Sequence, residues 1–393
     1  MKTVRADKYC KFVTDGTHDS PKQVNKGRKL ITSKHLSRYG IDFESAKNIS
    51  ELDYQKVISR SKVEQWDILF SMIGTIGNLY LERNHTIEYA CKNMGIFQMG
   101  GDARKAKWLY YYLQTPKARK YIETSGRGTT QSYVPLAALR ALPIDVVDDF
   151  TRDKIIKILW NIDEKILTNM QVNENLEWQA QAYFEELFVV NADPNWPECT
   201  LSDIGSIVAG GTPSKSKPEY YADQGIAWIT PKDLSVDKSK FISHGENDIS
   251  ELGFSKSSTK KMPAGTVLFS SRAPIGYIAI AQNELTTNQG FKSVIPNKNI
   301  GTSYMYFLLK NLLPTIEGMA SGSTFKEISG AGMKSVPTVM PDVDTIQLFN
   351  NFCEPIFKEQ EILEAENHRL STLRDSLLPK LMSGEIDISL LDS

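Results

Sequence analysis

The sequence predicts a mixed α+β chain made by tandem duplication, with two α/β globules joined by two long antiparallel coiled-coil helices in pseudo-two-fold symmetry. Three observations predict it. Ordered motifs recur at an offset of 194 to 199 residues, about half of the 393-residue chain. Each half ends in a helical stretch of about 40 residues whose apolar positions step alternately by four and three, the seam of a left-handed supercoil. The length itself exceeds one ordinary core, since domains settle near roughly 100 to 200 residues.

The repeat is read residue by residue. Asp15-Gly16-Thr17 recurs as Gly210-Gly211-Thr212, and residues 30–36 (LITSKHL) recur as 228–234 (WITPKDL). Phe70-Ser71 with Ile76-Gly77 matches Phe269-Ser270 with Ile275-Gly276. Asn93-Met94-Gly95 aligns with Asn288-Gln289-Gly290, Trp108-Leu109-Tyr110 with Tyr304-Met305-Tyr306, Gly128-Thr129-Thr130 with Gly322-Ser323-Thr324, and Pro143 with Pro337. Such a period is too long for a solenoid and marks a duplicated domain.

Each half follows one plan. About 140 residues rich in Gly, Ser, Thr and aromatics carry short β-branched runs, such as residues 67–71 and 265–271, that read as strands between turns. A strand-like run closes each globule, residues 142–147 and 336–340, and the long helix follows. The expected divisions are globules at 1–148 and 195–341, a central helix at 149–194, and a distal helix with a tail at 342–393. The first seam runs Ile155, Leu159, Ile162, Ile166, Asn169, Asn173, Leu176, Ala180, Tyr183, Leu187. Adding 194 gives Phe349, Cys353, Ile356, Gln360, Leu363, Asn367, Leu370, Arg374, Leu377, Leu381. An interior proline costs a helix about 3 kcal/mol, so Pro355 places the clean start of the second helix just after Cys353. A stripe that stands away from its own globule is covered most economically by the other helix. Asn173 and Asn367 occupy equivalent seam positions: either they meet at the dyad and set helix register, as a buried seam Asn does, or they turn to solvent.

Composition excludes disorder, collagen-like sequence and a disulfide miniprotein, with 41% hydrophobic and 24% charged residues. Cys10, Cys91, Cys199 and Cys353 lie far apart, outside any zinc-ligand spacing, and read as reduced thiols of a cytoplasmic protein. No secretory leader and no membrane-spanning run is expected. P-loop and GxGxxG patterns are absent, the five histidines form no HExxH, and residues 193–196 (DPNW) read as a linker. Pro341-Asp342 is followed by no Glu-x-Lys of a nuclease motif, and Asp342 or Asp344 reads as a helix cap. Neither a catalytic residue nor a metal site is expected.

Basic clusters remain. Six Lys or Arg fall within residues 22–38, and Arg104, Lys105, Lys107, Lys117, Arg119 and Lys120 surround the aromatics of 108–112. The second half has Lys215, Lys217, Lys256, Lys260, Lys261 and Arg272. The overall net charge of -1 hides an uneven split: +8 over residues 1–150, -5 over 151–200, +3 over 201–340 and -7 over 341–393. Phosphate contact belongs on the basic globules, and the acidic helices are left for protein partners.

Taken together, the motifs resemble the specificity (S) subunit of type I restriction-modification systems. They are residues 210–214 (GGTPS), 228–234, 271–276 (SRAPIG), 287–290 (TNQG), 322–324 (GST) and 376–384 (SLLPKLMSG). The first half departs in two places: Met72-Ile73-Gly74-Thr75 stands where the family carries Arg near Ile-Gly, and residues 183–188 replace the Leu-Leu-Pro ending. The resemblance implies that each globule is a target-recognition domain reading one half of a bipartite, asymmetric duplex. It implies that the helices set the gap and dock two methyltransferase (M) subunits, with restriction-motor (R) subunits joining through the complex. S-adenosylmethionine, ATP and Mg then belong to those partners, which methylate a flipped adenine. A helix of about 40 residues spans about 60 Å, more than one DNA turn of about 34 Å. The residues expected to face DNA are Thr17, His18, Lys34, Arg127, Thr129 and Thr130 in the first domain. In the second they are Thr212, Lys232, Arg272, Ser323, Thr324 and Lys326. The competing readings are a self-contained duplicated DNA-acting enzyme and a coiled-coil scaffold with no DNA role.

Overall fold

The computed structural model describes residues 2–128, 132–322 and 326–388. The chain divides into two compact units, Met1–Leu167 with Arg369–Ser393, and Thr168–His368. Both divisions fall inside the long helices, Asp149–Glu185 and Val343–Ser383.

In the first unit a four-stranded antiparallel sheet runs Phe12–Asp15, Met94–Gln98, Ile68–Ser71, Leu79–Leu81. A three-stranded sheet orders Asn48–Ile49, Arg28–Ile31 and Tyr89–Cys91, the last pair parallel. Lys2–Arg5 pairs with Pro143–Val146, the strand expected to close the globule. The second unit repeats the order with Gly205–Ala209, Lys292–Pro296, Val267–Ser271 and Ile275–Ala281, then adds Phe241–Ile242 at the edge. Its smaller sheet again ends in a parallel pair, Ile226–Ile229 with Thr286–Thr287, and Glu198–Thr200 pairs with Pro337–Val339. Ile68–Ser71 and Val267–Ser271 are buried at every position, so both faces are covered and each reads as a continuous run rather than an alternation.

Backbone pairing refines the repeat. Ser71 lies opposite Met94, and Ser270 opposite Phe291, so Gly95 is the counterpart of Lys292 rather than of Gly290. The chain between Thr287 and Phe291 is one residue longer than that between Cys91 and Met94, which displaces the motif alignment.

The helices begin on aspartate caps. Asp148 Oδ1 accepts from Thr151 N at 2.9 Å and Asp342 Oδ1 from Thr345 N at 2.8 Å. The second helix therefore starts at Val343 and runs through Pro355, eleven residues before the start expected after Cys353. Pro355 and Asn351 both lie on the exposed side, where the missing donor costs less than it would inside. On the other side Phe349, Cys353, Ile356 and Phe357 are buried and hold the helix together.

Every expected seam position is buried or half-buried. Within each unit the two helical segments run antiparallel: Arg374 meets Asp163 at 2.8 Å in the first, and Tyr183 stacks on Phe349 and Phe352 in the second. The seam does not stand away from the globules. Ile155, Leu159, Leu378 and Leu381 share one core with Phe70, Phe97, Trp108 and Tyr111, while Ala180, Phe184, Phe349 and Cys353 share another with Phe269, Tyr304 and Phe307. The expected meeting of Asn173 with Asn367 does not occur. Asn169, 1% exposed, donates to Asn367 Oδ1 at 2.9 Å, and Asn173 Nδ2 reaches Glu364 at 3.4 Å. Tyr183 packs against Phe349 and Phe352 in the same register, in which Asn367 faces the residue one helical turn before Asn173.

A buried carboxylate on the first long helix anchors each globule. Asp163 accepts from Tyr39 and Tyr111 hydroxyls at 2.7 Å each and pairs with Arg374. Burial alone would raise its pKa, but Arg38 and Arg374 outweigh burial and hold the carboxyl below its ordinary range. Glu177 pairs with Lys310 at 2.6 Å and with Lys240, and these ammonium groups likewise hold it low against burial.

Candidate nucleic-acid interface

The second domain gathers its polar loops around one cleft of about 640 Å3. Thr212, Lys215, Lys232, Arg272, Asn288 and Gln289 line it. Gly210 makes the approach possible: a Cβ there would stand 2.0 Å from the Asn288 carbonyl oxygen. Gly211 N then donates to Thr287 O at 2.9 Å, and the Thr212 hydroxyl donates to Gln289 Oε1. Thr230 and Asp233 cap the short helix Pro231–Val236, which presents Lys232. The Lys232 ammonium lies 2.5 Å from Glu246 Oε2, and that bond pushes its pKa up. Arg272 follows the buried strand Val267–Ser271 and pairs with Glu327 at 3.2 Å. Ser270 Oγ pins the intervening turn, donating to Pro274 O at 2.8 Å and accepting from Tyr277 N at 2.7 Å.

In the first domain the corresponding residues line separate depressions. One, of about 620 Å3, is lined by Thr17, His18, Asp19, Lys56, Ser59 and Arg60. Gly16 again allows close passage, since a Cβ would stand 2.3 Å from Cys91 O. His18 is exposed, with Nε2 2.8 Å from Asp15 Oδ2 and Nδ1 2.9 Å from Asn93 Oδ1. Arg60 reaches Gly16 O at 3.0 Å from the last turn of helix Glu51–Ser61. The other depression, of about 680 Å3, is lined by Arg119, Glu123, Gly126, Arg127 and Gly128.

Of the expected DNA-facing residues, Thr212, Lys232 and Arg272 share a single cleft. Thr17 and His18 line one depression of the first domain and Arg127 another. Thr17 is 9% exposed and accepts from Asp19 N at 3.1 Å, so it shapes its loop as well as lining it. Lys34 and Lys326 are exposed. Thr129, Thr130, Ser323 and Thr324 lie outside the described residues. Among the described residues no group of three or more His, Cys, Asp or Glu could hold a metal ion, and no helix is long and apolar enough to cross a membrane. Burial pushes the Cys10 and Cys353 thiols up to about 12, which removes them as thiolate nucleophiles at neutral pH.

The sequence model of the type I restriction modification DNA specificity domain matches residues 22–178 and again 194–367. The chain belongs to this family. As a specificity subunit it carries two such domains in tandem and is not the catalytic member of its system. It is 23% identical over 419 residues to the type I restriction enzyme HindI specificity subunit of Haemophilus influenzae, spanning 86% of this chain and 90% of that one. The MjaIX specificity subunit of Methanocaldococcus jannaschii is 37% identical over 196 residues, and that match spans 48% of this chain and only 45% of the relative. The crystal structure of the type I restriction-modification S subunit from M. genitalium shares the fold with a TM-score of 0.56, at 17% identity and covering 97% and 95% of the two chains.

Sequence reading of this specificity subunit missed Arg60, Lys56 and Asn93 in the first domain and Gln289, Lys292 and Glu327 in the second. Asn93 carried one signal, its place in the repeated motif, and the structure adds its left-handed backbone at φ 55°. Arg60 and Lys56 carried none, because only the helix Glu51–Ser61 brings them beside residues 17–21.

Proposed function

We propose that each domain reads one half of a bipartite, asymmetric double-stranded DNA target in the cytoplasm. In this reading the long helices set the gap and dock two methyltransferase subunits, and restriction-motor subunits join through them. S-adenosylmethionine, ATP and Mg act in those partners, and this chain supplies recognition. One observation carries the reading: two domains with the same strand order surround their polar clefts with different side chains. A common scaffold with unlike rims suits two unlike half-sites, as direct readout by side chains at base edges requires. The charge distribution supports it, with the basic globules suited to phosphate and the acidic helical segments to protein partners.

Mapping methylated adenines in cells that express the chain with its methyltransferase tests the reading. The expected result is one split motif with a methylated adenine in each half, and none when either protein is omitted. Methylation or cleavage by the purified chain alone would instead favour a self-contained enzyme. Absence of a salt-dependent footprint in two separated patches would favour a scaffold.

A further inference from the structure

We propose that Glu327 and Lys292 are positioning residues that hold Arg272 as a reader of guanine, and that this device serves one half-site only. The proposal rests on the DNA-reading assignment above. Arg272 and Glu327 face each other as an antiparallel bridge, and Ile328 N donates to Ser271 O at 3.1 Å, so the backbone fixes both Cα positions. Arg272 Nη1 donates to Glu327 Oε2 at 3.2 Å. The other carboxylate oxygen, Oε1, lies 3.5 Å from Lys292 Nζ. Lys292 is itself immobilised, with a side chain only 10% exposed whose ammonium donates to Ser271 Oγ and Gln289 O at 3.3 Å each. The order of constraint is therefore Lys292, then Glu327, then one terminal nitrogen of Arg272. The Nε and Nη2 edge has no hydrogen-bond partner among the described residues, and Arg272 lines the cleft with Thr212, Lys232 and Gln289.

The carboxylate decides between two uses of this arginine. A phosphate clamp draws on charge, and Glu327 cancels part of that charge at 3.2 Å. A bidentate base contact draws on orientation, and a buttressed planar guanidinium presents two parallel donors to O6 and N7 of guanine in the major groove. The arrangement is wasteful for the first use and suited to the second.

The first domain lacks all three groups. Ile73 bridges to Tyr133 where Arg272 bridges to Glu327, and Gly95 stands at the position of Lys292. A lysine there would have to displace the buried Leu139 side chain, whose Cδ1 lies 2.4 Å from the place of a Gly95 Cβ.

The test uses the full chain assembled with its methyltransferase and a pool of duplexes randomised across the target, with the retained DNA sequenced. For the unaltered complex we expect a guanine at one position of one half-site. Arg272→Lys keeps the charge and the fold but removes the fork, and is expected to reduce preference for that guanine roughly 10- to 100-fold with little loss of overall binding. Glu327→Gln is expected to reduce the same preference about threefold or more, and Lys292→Met in the same direction. The double variant Arg272→Lys with Glu327→Gln is expected to be no worse than Arg272→Lys alone, and the other half-site should not change. Uniformly weaker retention of all sequences in Glu327→Gln, or an unaltered guanine preference, overturns the proposal. If the unaltered complex selects no bipartite sequence, the DNA-reading assignment fails and the proposal falls with it.

Discussion

The first domain places Ile73, Tyr133 and Gly95 where the second places Arg272, Glu327 and Lys292. Around those positions the two halves keep the same strand order, the same parallel pair and the same close passage of a glycine past a neighbouring carbonyl. The difference teaches which constraints duplication preserves. A Cβ at Gly16 or Gly210 collides with backbone wherever the fold is kept, so the scaffold demands glycine in both halves. A rim side chain borders solvent and ligand, and can change without disturbing strand pairing.

The comparison extends to the buried anchors, and here the largest effects are expected. Asp163→Asn leaves Arg374 and Arg38 facing a neutral group inside the first unit and should cost about 3–5 kcal/mol. Two resolved melting transitions would show whether the loss is confined to that unit; an equal fall in both would break the division into independent anchors. The pH dependence has a sign. Because Asp163 is held below its ordinary value of 3.8, its contribution is present above that pH and lost as the pH falls through the folded value. Asp67 works oppositely. Burial pushes its carboxyl up to about 6, so its contribution is present below pH 3.8 and lost as the pH rises through about 6. Denaturant titrations from pH 3 to 7 on the parent, Asp163→Asn and Asp67→Asn separate the two.

Smaller effects are expected in the scaffold that both halves share. Gly16→Ala and Gly210→Ala should each destabilise by about 1–3 kcal/mol, since Cβ would stand 2.3 and 2.0 Å from carbonyl oxygens. A harmless substitution at one of the two, read by thermal unfolding, would show that the scaffolds are not equivalent there. Ile73→Ala, at the counterpart of Arg272, is expected to change no base preference in the methylated motif. The smallest change in stability belongs to the helix seam. Replacing Asn169 and Asn367 together with Leu should raise the melting temperature of the second unit by a few degrees, because it removes a polar pair whose Asn169 member is buried. Asn173→Leu, at a half-buried position, should do less.

Much of this fold was legible because repetition and heptad spacing are properties of the linear chain. Residues 155–187 and 349–381 announced a seam, and each expected position is at least half-buried. Pro355 misled, because the cost of a missing N–H depends on which helix face it occupies, and that face is exposed. The Asn partners also misled, because the observed register, shared by Tyr183 with Phe349 and Phe352, differs from the one the repeat offset implies. At the site, Thr212, Lys232 and Arg272 were legible as motif members, and the cleft unites them. Glu327 and Lys292 were not, since they lie 55 and 20 residues from Arg272, and strand pairing alone brings Glu327 to Arg272 and Lys292 to Glu327.

By itself the sequence determined duplication, helical seams, basic globules with acidic helices, and membership in the specificity family, because each is written in order, spacing and charge. Tertiary structure decided the register of the helix seam, the carboxylates that anchor each globule, and the pair behind Arg272. Those depend on short-range contacts between residues distant in the chain, and only closure of the sheets and helices sets such distances.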